Sequence, residues 1–298
     1  MATRVEFDHY GDPSVLRVVE FEPGAPGPGE LLVRNRAIGV NPFDHKFIAG
    51  LPGAKPLEGP TVPGNEAAGT IEAVGEGVTE FHVGDAVVWR GYLGAYATHS
   101  IVAVTKAHPK PPELTFEHAA VLPVAAGTAW AAVHQAAVQA DDVVLVHAAS
   151  GGVGSAAVQI AVALGARVIG TASTRNQDYV RQLGAEPVVY GEGLLETLTE
   201  LTKSFGDITA IIDAVGSAEA VEVSRKLLPG LPRAISTARG EGFAPVRAEE
   251  AAVPSVLALA AQGSLRLDID RTFDLVDAAE ALELSRDGHV RGKLVLLP

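Results

Sequence analysis

The stretch Val143-Val144-Leu145-Val146-His147-Ala148-Ala149-Ser150-Gly151-Gly152-Val153-Gly154 decides how this chain folds. Its first five positions, led by β-branched valines, read as a buried parallel strand. Ala149 to Gly154 form a tight turn, and the alanine-rich run Ser155–Leu164 reads as a helix. A strand, a glycine turn and a helix N-terminus in that order can hold a dinucleotide pyrophosphate: free backbone amides face the phosphates, and Gly151 and Gly152 admit close approach. Gly154 lets the helix pack against the strand. Ala149 stands where the first glycine of G-x-G-x-x-G usually sits, and a tight structural turn would also use these glycines. The rest of the chain has to decide.

The 298 residues suffice for one large domain or two ordinary ones, and 47% hydrophobic with 20% charged residues is a soluble globular composition. A net charge of −13 argues against nucleic acid or an anionic membrane as partner, because both repel an acidic surface. The absence of cysteine excludes disulfides and thiolate metal sites. Met1 to Val5 carry no secretory signal and no apolar run reaches about 18 residues, so a cytoplasmic location is expected.

Up to about residue 105 the chain reads as short strands (Leu31–Ala37, Gly69–Val74, Asp85–Trp89, Ile101–Val104) between proline and glycine clusters, a barrel-like pattern. Lys106 to Pro112 carries three prolines and reads as a linker. Beyond it, helices are expected at Glu117–Leu122 and Gly127–Ala137, and strands at 143–147, Arg167–Gly170, Pro187–Tyr190 and Ile208–Asp213. Helices at Asn176–Leu183, Leu194–Lys203, Glu219–Leu228 and Ser255–Gln262 alternate with them. The alternation predicts a doubly wound parallel sheet with right-handed crossovers. Gly184, Gly206, Gly230 and Gly263 sit where these helices should stop. A strand at Arg233–Thr237 and an edge strand at Pro245–Ala251 complete the sheet. Leu267–Phe273 looks extended, Asp277 with Glu280 reads as a capping signal, and Gly292–Leu297 is a final strand.

An acidic residue about 20 positions past the glycine turn would bind the ribose 2′-hydroxyl of NAD. Here Gly170-Thr171-Ala172-Ser173-Thr174-Arg175-Asn176 holds no carboxylate. Hydroxyls of Ser173 and Thr174 beside the Arg175 guanidinium suit a 2′-phosphate, so NADP(H) is the expected cofactor. Tyr190 either flanks its adenosine end or packs in the core.

Together with Pro123–Trp130, these features resemble the zinc-free quinone oxidoreductases, the ζ-crystallin-like branch of the medium-chain dehydrogenases and reductases. Gly39-Val40-Asn41-Pro42-Phe43-Asp44, Pro63-Gly64-Asn65-Glu66-Ala67-Ala68-Gly69, Val83-Gly84-Asp85, Asp142–Gln159 and the closing His289-Val290-Arg291-Gly292-Lys293 carry the resemblance over essentially the whole chain. It implies a GroES-like β-barrel catalytic domain, residues 1–116 and 265–298, and a Rossmann NADP(H)-binding domain, residues 117–264. Thr128, Ser150, Gly151, Gly152, Val153, Ser173, Thr174, Arg175, Tyr190, Ala214 and Val215 form the expected cofactor set.

The resemblance also puts Asn41 and Asn65 where zinc-dependent relatives carry a cysteine and a histidine. An amide is a poor zinc ligand, the structural zinc lobe is replaced by the short Trp89–Ser100 stretch, and no histidines cluster, so no metal is expected. Without a Lewis acid a simple ketone is a difficult hydride acceptor. A quinone or enone is easier, because conjugation spreads the developing charge onto an oxygen that ordinary donors can hold. The expected activity is NADPH-dependent reduction of a small-molecule quinone or enone by direct hydride transfer.

The catalytic candidates are Asn41, Lys46 and Tyr92. Asn41 either orients nicotinamide or substrate or makes an Asx-type turn before Pro42. Lys46 stands where close relatives often carry tyrosine; either it or His45 donates the proton instead, or Lys46 is a solvated charge. Tyr92 and Tyr96 either line a pocket or close a hairpin around Gly94. Glu66 and Asp44 are expected to make supporting hydrogen bonds. The alternative functions are an enoyl-thioester reductase, which a basic patch for a carrier or coenzyme phosphate would favour, and a non-catalytic NADPH-binding sensor or structural protein, which would bind NADPH without turnover. An unpaired edge strand near 245–251 would be a liability unless covered, and the resemblance implies a homodimer that pairs it.

Overall fold

The computed structural model describes residues 1–298. In chain order the elements are β1 (Ala2–Glu6), β2 (Arg17–Phe21), β3 (Glu30–Val40), α1 (Pro42–Ile48), β4 (Glu66–Val74), β5 (Ala86–Arg90), β6 (His99–Ala103), β7 (Ala107–Pro109) and α2 (Phe116–Ala120). There follow α3 (Gly127–Gln135), β8 (Val143–His147), α4 (Gly152–Ala163), β9 (Arg167–Ala172), α5 (Gln177–Gln182), β10 (Glu186–Val189) and α6 (Leu194–Phe205). The chain ends with β11 (Ala210–Asp213), α7 (Ala218–Leu227), β12 (Ala234–Ser236), β13 (Ala244–Pro245), α8 (Ala252–Ala261), β14 (Ile269–Asp274), α9 (Ala278–Asp287) and β15 (Lys293–Leu297). Two compact units result, residues 1–124 with 268–298, and residues 125–267.

The first unit is a sheet in the order β14-β15-β3-β4-β5-β7, with β6 also on β3 and a β1–β2 hairpin beside it. β3 is its spine. β4 pairs along one edge, while β6 takes residues 30–34 and β15 residues 38–40 of the other. Register shifts between Leu32 and Val33 and between Asn35 and Ala37 let this strand bend. Inward-facing Leu31, Val33, Ile38, Ile71, Val87, Trp89 and Tyr96 close the core, joined by Leu294 and Leu296 from the end of the chain. Asn35 satisfies the polar atoms there, accepting from Trp89 Nε1 and donating to Ala97 O and Ser100 Oγ.

The second unit is an all-parallel sheet in the order β10-β9-β8-β11-β12-β13. The order reverses between β8 and β11, so the crevice for a ligand lies at their carboxyl ends. β8 is buried at every position, as a central parallel strand must be.

Three expectations need correction. The proline segment is no linker: Ala107–Pro109 forms β7 on β5, at the sheet edge where proline is tolerated. The edge strand expected over 245–251 shrinks to Ala244–Pro245. Beyond it the Gln135 side chain accepts from Arg247 N at 2.9 Å and donates to Arg247 O at 2.7 Å, taking the place of a strand neighbour. The Asp277 side chain makes no cap bond at α9, which a 3₁₀ turn at Leu275–Asp277 leads into instead. Strands β1 and β2 and helix α1 were not anticipated.

Candidate active site

The phosphate cradle in the second unit is built as the sequence suggests. β8 delivers Ala148, whose positive φ of 54° turns the chain, and Ala148 N and Ala149 N bond Thr171 Oγ1 and Thr171 O of β9. A Cβ on Gly154 would lie 2.1 Å from Ala148 O, so only glycine fits where α4 crosses the strand. Ala149 is buried with its methyl over Gly170, where an added Cβ would come within 2.8 Å of it. The alanine in the first glycine's place is thus a packing residue, made possible by a glycine on the next strand.

Gly151 is the N-cap of α4 and no side chain caps it, so the amides at this helix start are free for an anion. Ser150 Oγ accepts from Asn176 Nδ2 at 3.1 Å, tying the turn to the end of β9. Ser173 Oγ is buried there with no partner, a hydroxyl awaiting one. Thr174 and Arg175 are exposed beside it, and Tyr190 is about half exposed at the end of β10. Thr128 lies in α3, partly exposed.

Asp213, which in the sequence is only the end of a strand, organises the other side of the crevice. Its Oδ1 accepts from Val215 N at 3.0 Å and Gly216 N at 2.9 Å, and its Oδ2 accepts from Ser236 Oγ at 2.7 Å. Ser236 Oγ in turn accepts from Ala238 N and Gly240 N. One buried carboxylate and one hydroxyl therefore hold both loops, the first containing Ala214 and Val215. Beneath them burial pushes the His147 imidazole down to about 4, and hydroxyls of Ser224 and Thr171 flank its nitrogens.

In the first unit a buried polar network surrounds Asn41. Asn41 starts α1 and is 3% exposed. Its Oδ1 accepts from Lys293 Nζ at 2.5 Å, and its Nδ2 donates to Glu66 Oε1 at 2.8 Å and Asn65 Oδ1 at 3.1 Å. Lys293 also donates to Val40 O and Glu66 Oε1, and Glu66 Oε2 accepts from Val124 N at 2.7 Å. The buried Lys293–Glu66 pair is thus fully hydrogen-bonded, the condition under which such a pair is tolerated. Asp44 Oδ2 accepts from Asn41 N at 2.9 Å and Tyr96 OH at 3.0 Å, while its Oδ1 is buried without a partner. Burial pushes the Asp44 carboxyl up to about 7 against these bonds.

The three catalytic candidates do not converge. Asn41 is in the network, Lys46 is exposed on α1, and Tyr92 is 63% exposed. Tyr92 packs on Phe43 and Phe47 of α1, with ring centroids 5.8 and 5.9 Å away. Tyr96 is core, and Gly94 turns an irregular loop, so the hairpin alternative does not hold. Lys293 belongs to the closing motif, and its place 252 residues from Asn41 gives no local signal of this contact.

These residues do not fit a zinc ion. The two amides bond one another, Asn41 is further engaged with Lys293 and Glu66, and no three His, Asp or Glu side chains converge to hold a metal. The cradle does fit a dinucleotide phosphate, by its uncapped helix start, its glycines and the unpartnered Ser173 hydroxyl.

Known proteins share this architecture. The alcohol dehydrogenase GroES-like domain matches residues 27–112, and the zinc-binding dehydrogenase domain matches residues 152–230. A quinone oxidoreductase of Pseudomonas aeruginosa is 33% identical over 331 aligned positions covering all of both chains. Since this chain has 298 residues, at least 33 of those positions are gaps on its side. A 2-haloacrylate reductase of Burkholderia is 34% identical over 97% of this chain and 96% of its own. The crystal structure of Escherichia coli quinone oxidoreductase complexed with NADPH superposes with a TM-score of 0.87 at 30% identity, covering 99% of this chain and all of that one. The doubly wound α/β fold with its GroES-like partner is the one expected, and the chain belongs to the quinone oxidoreductase family of medium-chain dehydrogenases and reductases, as an oxidoreductase.

Proposed function

We propose that this protein reduces quinones or other small conjugated carbonyls with NADPH, by direct hydride transfer and without metal. The end of β9 carries the reading: no carboxylate stands there to repel a 2′-phosphate, and the buried Ser173 Oγ has no protein partner. NADPH, when bound, supplies the hydride. Gly152 and Val153 offer main-chain amides to its pyrophosphate, Gly151, whose own N–H is donated to Ala148 O at 3.0 Å, admits its close approach, and Ser150 and Asn176 keep the turn closed. Ser173, Thr174 and Arg175 take the 2′-phosphate, Tyr190 flanks the adenosine end, and Val215, held by Asp213, lines the other side with Ala214 and Thr128.

A conjugated acceptor suits the charged but metal-free network around Asn41, because the charge reaches an oxygen that an amide donor can hold. The relatives' names, a quinone oxidoreductase and a 2-haloacrylate reductase, share an electron-poor C=C conjugated to a carbonyl or carboxyl group. NADPH oxidation with a panel of quinones and enones tests the activity, and binding without turnover of any of them would make the protein a sensor. Arg175→Ala should raise the NADPH Michaelis constant roughly 10-fold or more and leave that for NADH nearly unchanged. Equal effects on both cofactors would reject the 2′-phosphate assignment.

A further inference from the structure

Two charges fix which way each amide of the Asn41–Asn65 pair faces. An ammonium has no lone pair, so the Asn41 atom 2.5 Å from Lys293 Nζ is its carbonyl oxygen. Asn41 Nδ2 then faces the Glu66 carboxylate, which accepts, and Asn65. A donor on that side requires the Asn65 atom facing it to be Oδ1. Amide orientation is ordinarily a choice made from the hydrogen-bond pattern, and here the pattern admits one answer. Asn65 Nδ2 is therefore turned outward. It has no acceptor within the protein, and the half-buried residue leaves it open to solvent.

Resting on the function proposed above, we infer that Asn65 is the residue that donates to the substrate's carbonyl oxygen, and that Asn41, buried with both its N–H groups engaged, is a positioning residue that aims it. Lys293, Asn41 and Asn65 form a chain in which each amide accepts at oxygen and donates at nitrogen. The cationic end polarises the chain in one direction, which strengthens the last N–H as a donor. Gly91 N donates to Asn65 O at 3.0 Å, which fixes the main chain from which the Asn65 amide projects. One outward amide donor suits the single oxygen on which a conjugated carbonyl collects its charge.

In the reaction the hydride forms a C–H bond at the far carbon of the conjugated system and the nicotinamide is oxidised. The C=C π electrons shift toward the carbonyl carbon, and the C=O π pair moves onto oxygen. Asn65 Nδ2–H holds that oxyanion until water supplies the proton.

Asn65→Ala and Asn65→Asp test the donor. With a naphthoquinone, kcat should fall on the order of 10²-fold in the first and at least as far in the second, with the NADPH Michaelis constant unchanged. Asn41→Asp tests the aiming. Its new carboxylate oxygen would draw Asn65 Nδ2 inward and leave Oδ1 facing out, so kcat should fall as in Asn65→Ala, and the double variant Asn41→Asp/Asn65→Ala should be no slower than either. Binding gives an independent readout: the ¹⁵N side-chain resonances of Asn65, identified by their loss in Asn65→Asp, should shift when the naphthoquinone is added with NADP⁺, and those of Asn41 should stay. Turnover by Asn65→Ala within about threefold of wild type, or a quinone that moves the Asn41 resonances and not those of Asn65, overturns the inference. If wild type oxidises NADPH with no quinone or enone, the proposed function fails, and the resonances still decide the role of Asn65.

Discussion

Asp44 is a carboxylate whose surroundings work against its charge. Burial outweighs the bonds from Asn41 N and Tyr96 OH and lifts it from 3.8 to about 7. An acid raised on folding binds its proton more tightly in the native state, so its contribution is fullest below pH 3.8 and is lost as pH rises toward 7. The slope is at most about 1.4 kcal/mol per pH unit for one proton. His147 acts in the opposite sense. Held neutral, with its folded value pushed from 6.5 to about 4, it contributes fully above pH 6.5 and loses that as pH falls toward 4. The two slopes oppose each other in the wild type, so a comparison with Asp44→Asn is needed. In urea unfolding, the stability of wild type relative to Asp44→Asn should decline between pH 4.5 and 7. A flat difference would mean that Asp44 is charged throughout.

At the scale of elements, the parallel sheet carries two acidic anchors at opposite ends. Asp142, before β8, accepts from both terminal nitrogens of Arg233 at 2.7 Å and from Thr209 Oγ1 at 2.6 Å, and Arg233 holds its carboxyl well below the usual range. It lies at the amino end of the strands, away from the crevice where ligands bind such sheets. Asp142→Ala should therefore cost roughly 1–3 kcal/mol in denaturant unfolding and leave the NADPH Michaelis constant unchanged. Asp213 sits at the carboxyl end, and Asp213→Asn puts an amide against two backbone donors. That substitution should weaken NADPH binding about 10-fold in a fluorescence titration, a loss of roughly 1.4 kcal/mol. If both variants affect NADPH binding equally, the anchors do not divide the work by strand end. Gly154→Ala should lose more, since its Cβ meets backbone at 2.1 Å and no flexible side chain can yield. We expect roughly 2 kcal/mol or more of destabilisation by thermal unfolding, together with loss of cofactor affinity.

For the whole molecule, the sheet edge decides association. A sheet that extends across a two-fold axis needs a strand with free N–H and C=O groups. β13 is two residues long, one of them Pro245 without an N–H, and Gln135 already occupies the main chain of Arg247. A dimer that pairs through this edge has only Ala244–Pro245 as strand to pair with. Light scattering at micromolar concentration should give the mass of one 298-residue chain. A doubled mass would mean that another surface joins two copies.

The sequence by itself determined everything whose cause is local. Valines followed by glycines made the strand and turn at 143–154, glycines ended helices at 184, 206 and 263 with positive φ, and the missing carboxylate after β9 was visible as a composition of seven residues. Alternation along the second half gave the parallel sheet, because strand and helix periods are properties of neighbouring residues. Tertiary structure decided the rest. Asn41 and Asn65 were legible as an amide pair, but their orientation depends on Lys293, which reaches them from the last strand. Ala149 was legible as a missing glycine, but its reason is Gly170 on the neighbouring strand. Asp213 looked like a strand end until Ser236 and two loop amides met it. Hydrogen bonds and burial join residues that are distant along the chain, so a charge acquires its role from partners that no local pattern contains.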